Sequence, residues 1–169
     1  VTALMTAVTC ILAPLSIPLP FSPVPISLTN LVIFISVFIL GMKDATISFL
    51  IYLLLGSVGL PVFASFHAGL SVLAGPTGGY LIGFIFLALI QGFAMKYFDR
   101  KLIPTIIGML IGMAVCYIFG TVWLAKLMSL SFKEGLFMGV IPYLPGDAVK
   151  IIIAVIVGPK LYAATKKVR

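Results

Sequence analysis

Residues 102–125 read LIPTIIGMLIGMAVCYIFGTVWLA and contain no charged side chain. A helix needs about 20 consecutive apolar residues to cross a hydrocarbon layer about 30 Å thick, and this stretch is long enough. Backbone polar groups must be hydrogen-bonded inside that layer, so only helices or a closed barrel can cross it. Because the apolar positions run continuously instead of alternating with polar ones, the stretch predicts a transmembrane helix.

The rest of the chain has the same character. Of its 169 residues, 62% are hydrophobic and 9% are charged, and the mean hydropathy is +1.30. A soluble domain carries about 25% charged residues, so this chain lacks the polar side chains to cover a surface in water. The apolar runs predict an all-α integral membrane protein, a compact bundle of about six transmembrane helices forming a single domain over residues 1–169. The predicted helices cover residues 2–15, 28–40, 45–55, 77–98, 102–127 and 146–164.

The basic residues are distributed unevenly over the connections. The connections after the first and third predicted helices contain no Lys or Arg, and the one after the fifth contains Lys126 and Lys133, partly offset by Glu134. Because Lys and Arg favour cytoplasmic loops, we expect a plasma-membrane protein with both termini in the cytoplasm and three long Pro- and Gly-rich loops outside. The remaining basic residues lie after the second and fourth helices or near the C-terminus: Lys43, Lys96, Arg100, Lys101, Lys160, Lys166, Lys167 and Arg169.

Several function classes do not fit this chain. Its basic residues lie at the ends of apolar runs and not on one soluble face, so nucleic-acid binding is not expected. Cys10 and Cys116 lie in apolar segments without a CxxC pattern, and we interpret both as helix-packing residues. One His and four acids provide neither a catalytic set nor a metal site. With no Walker or Rossmann glycine pattern, we expect neither an enzyme nor a cofactor.

Two charged residues lie next to an apolar run near the C-terminus. Asp147 and Lys150 belong to PYLPGDAVK at 142–150, and an apolar run follows from 151. Their spacing of three puts both on one helix face, and charges inside an apolar run point to function. One interpretation is a ligand clamp at the outward end of the bundle. The other is an N-terminal helix cap, with Lys150 extending to the outer interface.

A glycine-rich entry to the fourth helix is the second candidate ligand region. Residues 75–80 read GPTGGY, where Gly79 permits close backbone approach and Thr77 and Tyr80 supply hydroxyl groups. Upstream, Phe63 offers apolar surface for a lid over a ligand. His67 is open to interpretation as a loop histidine or as a ligand contact.

Stripes of small residues indicate helix packing. Ala3 and Ala7 are four residues apart, and small residues recur at the same spacing in the fourth and fifth helices. Such stripes let helix backbones approach closely in lipid. We expect the later stripes to serve packing within the bundle and Ala3 and Ala7 to contact a partner.

Together these segments resemble the BioY family, the biotin-binding S components of energy-coupling factor (ECF) transporters. The resemblance rests on Val24-Pro25, GLPVFA at 59–64, GPTGGYL at 75–81 and PYLPGDAVK at 142–150. It implies a six-helix subunit that captures biotin at the outer face, with a separate membrane coupling subunit and ATPases as partners. By analogy with the family, Asp147 would accept from the ureido N–H groups, and Lys150 would donate to the ureido carbonyl or a nearby acceptor. Tyr80, Thr77 and Phe63 would then surround the thioether ring and valeryl chain.

One segment departs from the family pattern. After Val24-Pro25 the family often has a Thr followed by a Gln, whereas this chain reads ISLTN at 26–30. Ser27 could replace the Thr hydroxyl, and Thr29 or Asn30 would have to replace the longer Gln. Two alternatives stay open on this evidence: an S component for a different vitamin, or a self-sufficient carrier.

Overall fold

A computed structural model describes residues 1–167, and the predicted basic tail residue Arg169 lies outside them. Each of the six predicted helices is present, with ends within a few residues of those expected. The chain also forms a β-hairpin and two shorter helices that the apolar pattern did not predict. The elements are α1 (Thr2–Leu12), β1 (Ser16–Leu19), β2 (Ser22–Ser27), α2 (Thr29–Leu40), α3 (Met42–Ser57), α4 (Leu70–Ala74), α5 (Gly78–Tyr97), α6 (Leu102–Met128), α7 (Phe132–Gly139) and α8 (Leu144–Lys166), with 3-10 turns at Ala64–Phe66 and Ile141–Tyr143.

Three segments are long and apolar enough to cross a membrane: α5, α6 and Phe132–Lys166, which comprises α7, a 3-10 turn and α8. Helices α1 and α2 are apolar but have 11 and 12 residues. At 1.5 Å per residue, α2 is about 18 Å long, less than the hydrocarbon thickness. It is nevertheless the most enclosed helix, with Val32, Phe34 and Val37 almost fully buried. The helical membrane-protein fold is thus confirmed.

Helices α5 and α6 pack against each other through the predicted stripes of small residues. A Cβ at Gly83 would lie 3.0 Å from the Cα of Cys116, and one at Gly112 would lie 3.1 Å from the Cα of Leu87. Side chains at these positions would push the two backbones apart. The prediction of internal packing for these stripes is therefore confirmed.

The sequence predicts a long Pro-rich loop after the first helix. In the structure this segment folds into an antiparallel hairpin. Ser16 pairs with Ser27 and Ile17 with Ile26, and the register shifts before Leu19 pairs with Ser22. Proline has no N–H to donate to a strand partner, so the prolines at 18, 20, 23 and 25 hid the strand pattern. The Ser65 backbone N–H, from the following long loop, donates to the Pro14 carbonyl at 3.1 Å, and the Ser16 and Ser65 hydroxyls lie 2.8 Å apart.

The charged turns lie at the opposite end of α2 from the hairpin. The Arg100 guanidinium donates to the Phe38 carbonyl at 2.6 Å and lies 3.8 Å from the centre of the Tyr162 ring. It thereby connects the turn after α5 to α2 and α8. Glu134, which lies beside Lys133 in the sequence, is exposed and forms a capping box with Ser131 at the start of α7.

Candidate functional site

A cavity of about 460 Å³ lies at the end of the bundle where α2 and α8 begin. The hairpin, the loop before α4 and the first turns of α2, α5 and α8 contribute to its lining, and α3 and α6 complete its walls. Tyr52 and Phe63 form part of the apolar wall, with their rings edge to face and 5.6 Å between centroids. A cavity of this size is in the range of small-molecule sites, which are mostly apolar with a few placed polar groups.

Asp147 is the most heavily hydrogen-bonded side chain in the cavity. Its carboxylate accepts from the Asn30 amide at 2.7 Å, from the Lys150 ammonium at 2.9 Å and from the Tyr117 hydroxyl. The residue is 6% exposed. Three donors from three helices therefore hold one carboxylate at the base of the cavity, which is the arrangement a buried charge requires.

Lys150 is the cationic half of the same cluster. It is 8% exposed, and its ammonium donates to the Ser27 carbonyl at 2.7 Å as well as to Asp147. An ammonium has three N–H donors, so one remains after these two bonds. We call Asn30, Tyr117, Asp147 and Lys150 the polar floor of the cavity.

The start of α8 shows whether Asp147 and Lys150 serve as a helix cap. The helix begins at Leu144 with proline in its first turn, and Tyr143 is its N-cap residue without a side-chain capping bond. Proline suits this position because the first N–H groups of a helix have no intrahelical partner. Asp147 accepts from side chains and not from a helix N–H, and Lys150 is buried. The geometry therefore disagrees with the interpretation of the two residues as a cap and an interfacial lysine.

Most of the predicted ligand residues meet around this cavity. Ser27, Thr29, Phe63, Thr77 and Tyr80 all line it together with Asp147 and Lys150. The Ser27 hydroxyl donates to the Thr29 hydroxyl at 3.0 Å, so these two form one polar strip beside the floor.

Gly79 was expected to let a ligand approach the backbone, but it is not among the lining residues. A Cβ at this position would lie 2.3 Å from the Cβ of Trp123 and 3.2 Å from the Cα of Gly120. The predicted ligand role of Gly79 is therefore wrong. The glycine is needed for the close packing of α5 against α6. Ala3 and Ala7, which were expected to contact a partner, are exposed on α1 and do not line the cavity.

Sequence reasoning missed several lining residues. Asn30 was considered only as a replacement for a missing Gln, although it is a polar residue at the start of an apolar helix. Tyr117 had no local signal, because one tyrosine in a long apolar helix is common. Tyr52 lines the cavity with a buried hydroxyl that has no partner among the described groups. Cys116 is buried as expected and also lines the cavity, where its thiol lies 3.6 Å from the Tyr80 carbonyl.

Comparison with known proteins agrees with these features. The sequence pattern of the BioY family matches residues 1–167. "Biotin transporter BioY" of Rhizobium etli is 35% identical over 166 residues, which cover 93% of this chain and 88% of that protein. "Biotin transporter BioY2" of Lactococcus lactis is 32% identical over 162 residues, covering 96% of this chain and 88% of that protein. A crystal structure described as the S-component for biotin from an ECF-type ABC transporter matches with a TM-score of 0.87 and 32% identity, over 95% of this chain and 87% of that one. The chain belongs to the BioY family.

Proposed function

We propose that this chain is the biotin-binding S component of an ECF-type vitamin importer and acts as a single membrane domain. The observation that carries the proposal is the polar floor, where a buried carboxylate and a buried ammonium lie 2.9 Å apart at the base of an otherwise largely apolar cavity. The names of the relatives indicate that the ligand is biotin. The geometry supplies the chemistry by which such a ligand would be held.

The ureido ring of biotin presents N–H donors beside a carbonyl acceptor. A carboxylate offers about four lone-pair positions, and three donors occupy Asp147 in this structure. A ureido N–H can therefore take the remaining position. The third N–H of Lys150 would donate to the ureido carbonyl. Such charge-assisted bonds are stronger than neutral ones and orient the ring on the floor.

The remaining cavity walls suit the less polar parts of the ligand. Phe63, Tyr80 and Thr77 would surround the thioether ring and the valeryl chain, and the Ser27–Thr29 strip would face the edge of the ureido ring. On the same wall, Tyr52 adds a buried hydroxyl that no described group contacts through a hydrogen bond. A cavity of about 460 Å³ leaves this ligand room without a second large occupant.

The exposed face of α1 supports the proposed partners. Ala3, Ala7, Leu4 and Ile11 are all exposed on this helix, so it presents small and apolar side chains to its surroundings. We propose that the ECF membrane coupling subunit packs against this face, while its ATPase subunits supply the energy. Small residues allow close helix contact in lipid, where packing drives association.

The proposed orientation has both termini in the cytoplasm of a cell-membrane protein. Lys43, Lys96 and Arg100 lie around one cavity at the end of the bundle opposite the polar floor. Basic residues favour the cytoplasmic side, so this clustering supports an outward-facing ligand cavity. Cysteine accessibility on either side of sealed vesicles would test the orientation.

Calorimetric titration of the detergent-purified chain with biotin, without ATP, tests the proposed function. We expect saturable binding of biotin and none of riboflavin or thiamine. Preferential binding of another vitamin would favour the S component of a different importer. Biotin uptake into liposomes by this chain alone would favour the self-sufficient carrier, whereas uptake that requires the coupling subunit and ATP supports the proposal.

A further inference from the structure

The charges of the ligand cavity are confined to one end. Among the described residues that line it, Asp147 and Lys150 are the only Asp, Glu, Lys or Arg side chains. Their formal charges cancel, and both are buried at the floor. The exposed lining residues mark the opposite end, the mouth, which lies between the hairpin and the segment leading into α4: Pro18, Pro23, His67 and Ser71.

The polar floor is unsuited to a ligand carboxylate. An anion bound to the free N–H of Lys150 would lie close to Asp147, because the same ammonium is 2.9 Å from that carboxylate. The repulsion from Asp147 would offset the attraction to Lys150, so the neutral pair gives an anion little net attraction. The floor therefore selects a neutral group that combines donors with an acceptor, and the acid end of the ligand points toward the mouth.

The mouth offers that acid no permanent cation. Of its four residues, only His67 can become positively charged. Its Nδ1 lies 2.9 Å from the Ala64 carbonyl, and because a carbonyl only accepts, Nδ1 carries the proton. That ring nitrogen is therefore already paired within its own loop. The Ser71 hydroxyl is a donor but carries no charge, and burying an anion without a charged partner is costly. Because the mouth residues are exposed, the acid is best placed in water.

From this arrangement we propose that the site recognises the ureido bicycle and leaves the tail carboxylate hydrated at the mouth. The ligand class then includes neutral tail derivatives, such as biotinamide and biotin amide-linked to lysine, in addition to the free acid. This inference rests on the proposed function. It adds that the protein does not recognise the tail carboxylate of the ligand. Specificity would come from the floor alone.

Competition against labelled biotin on the wild-type chain tests this inference. We expect dissociation constants for biotinamide and the lysine amide within fivefold of that for biotin. The open diamine obtained by removing the ureido carbonyl serves as the control and should not compete. Weakening of either amide by more than fivefold, with biotin still bound, would overturn the inference while leaving the proposed function intact. If neither the acid nor the amides bind, the proposed function itself fails.

A substitution of His67 tests whether this residue binds the ligand carboxylate. His67→Gln keeps a polar side chain and removes the one mouth group that can become a cation. The ratio of the biotin and biotinamide dissociation constants should stay within twofold of the wild-type ratio. Loss of affinity for the acid alone in this variant would assign the carboxylate to His67 and overturn the inference.

Discussion

Replacing Asp147 by Asn separates the structural role of the polar floor from its role in binding. The change keeps the shape of the side chain but removes its charge, so the buried Lys150 ammonium loses its counter-charge and keeps only neutral acceptors such as the Ser27 carbonyl. Removing one member of a buried ion pair costs about 3–5 kcal/mol of folding free energy. For binding, one hydrogen bond to a charged group contributes about 1.5–3 kcal/mol. At 1.4 kcal/mol per factor of ten, Asp147→Asn should weaken biotin binding roughly 10- to 150-fold.

The double variant Asp147→Asn with Lys150→Met makes the test decisive. It removes both charges while keeping similar volumes, so most of the lost stability should return, because no unpaired charge remains buried. Binding should not return, because neither the anionic acceptor nor the ammonium donor is present.

Stability would be measured as the free energy of unfolding in mixed micelles, and binding by calorimetry. Thr105→Val provides a matched control: Thr105 is fully buried and its hydroxyl donates to the Lys101 carbonyl just before α6, so biotin affinity should be unchanged. If the double variant regained affinity together with stability, the two residues would be structural and the reasoning about ligand contacts would be refuted.

Three other substitutions test separate features. Tyr52→Phe removes a hydroxyl that has no partner within residues 1–167, so thermal stability in detergent should be unchanged or higher while biotin affinity falls about tenfold; lower stability would show that the hydroxyl already has a structural bond. Gly120→Ala would place a Cβ 2.3 Å from the Tyr80 ring and should cost about 1–3 kcal/mol in unfolding experiments. Its control Gly146→Ala, with open space around the new Cβ, should be neutral or slightly stabilising, and equal effects at both sites would contradict the packing argument. Arg100→Lys loses the planar contact with Tyr162 and should lower the free energy of unfolding by about 1 kcal/mol without changing biotin affinity; weaker binding would indicate coupling to the polar floor.

The local features of this chain could be predicted from its sequence, and the distant pairings could not. Helix α6 follows from one uninterrupted apolar run, and the shared face of Asp147 and Lys150 follows from a spacing of three residues. The bond from Asn30 to Asp147 joins positions 117 apart, and no local pattern encodes that pairing. The hairpin was missed because prolines hid its strands. Gly79 was assigned to the wrong role because a glycine required by a neighbouring helix looks the same as one required by a ligand.

The hairpin over the cavity has a consequence for how quickly a ligand can enter. A two-stranded ribbon is marginally stable by itself, and this one is fastened to the loop before α4 through Ser65, which bonds to Pro14 and Ser16. Two neutral hydrogen bonds contribute about 1–3 kcal/mol together, so separating these segments should leave roughly one molecule in five to one in 150 open at any moment. A ligand that enters only the open form would be captured about 5 to 150 times more slowly than by a permanently open site. Tight retention should then come from slow escape from the charged pair beneath.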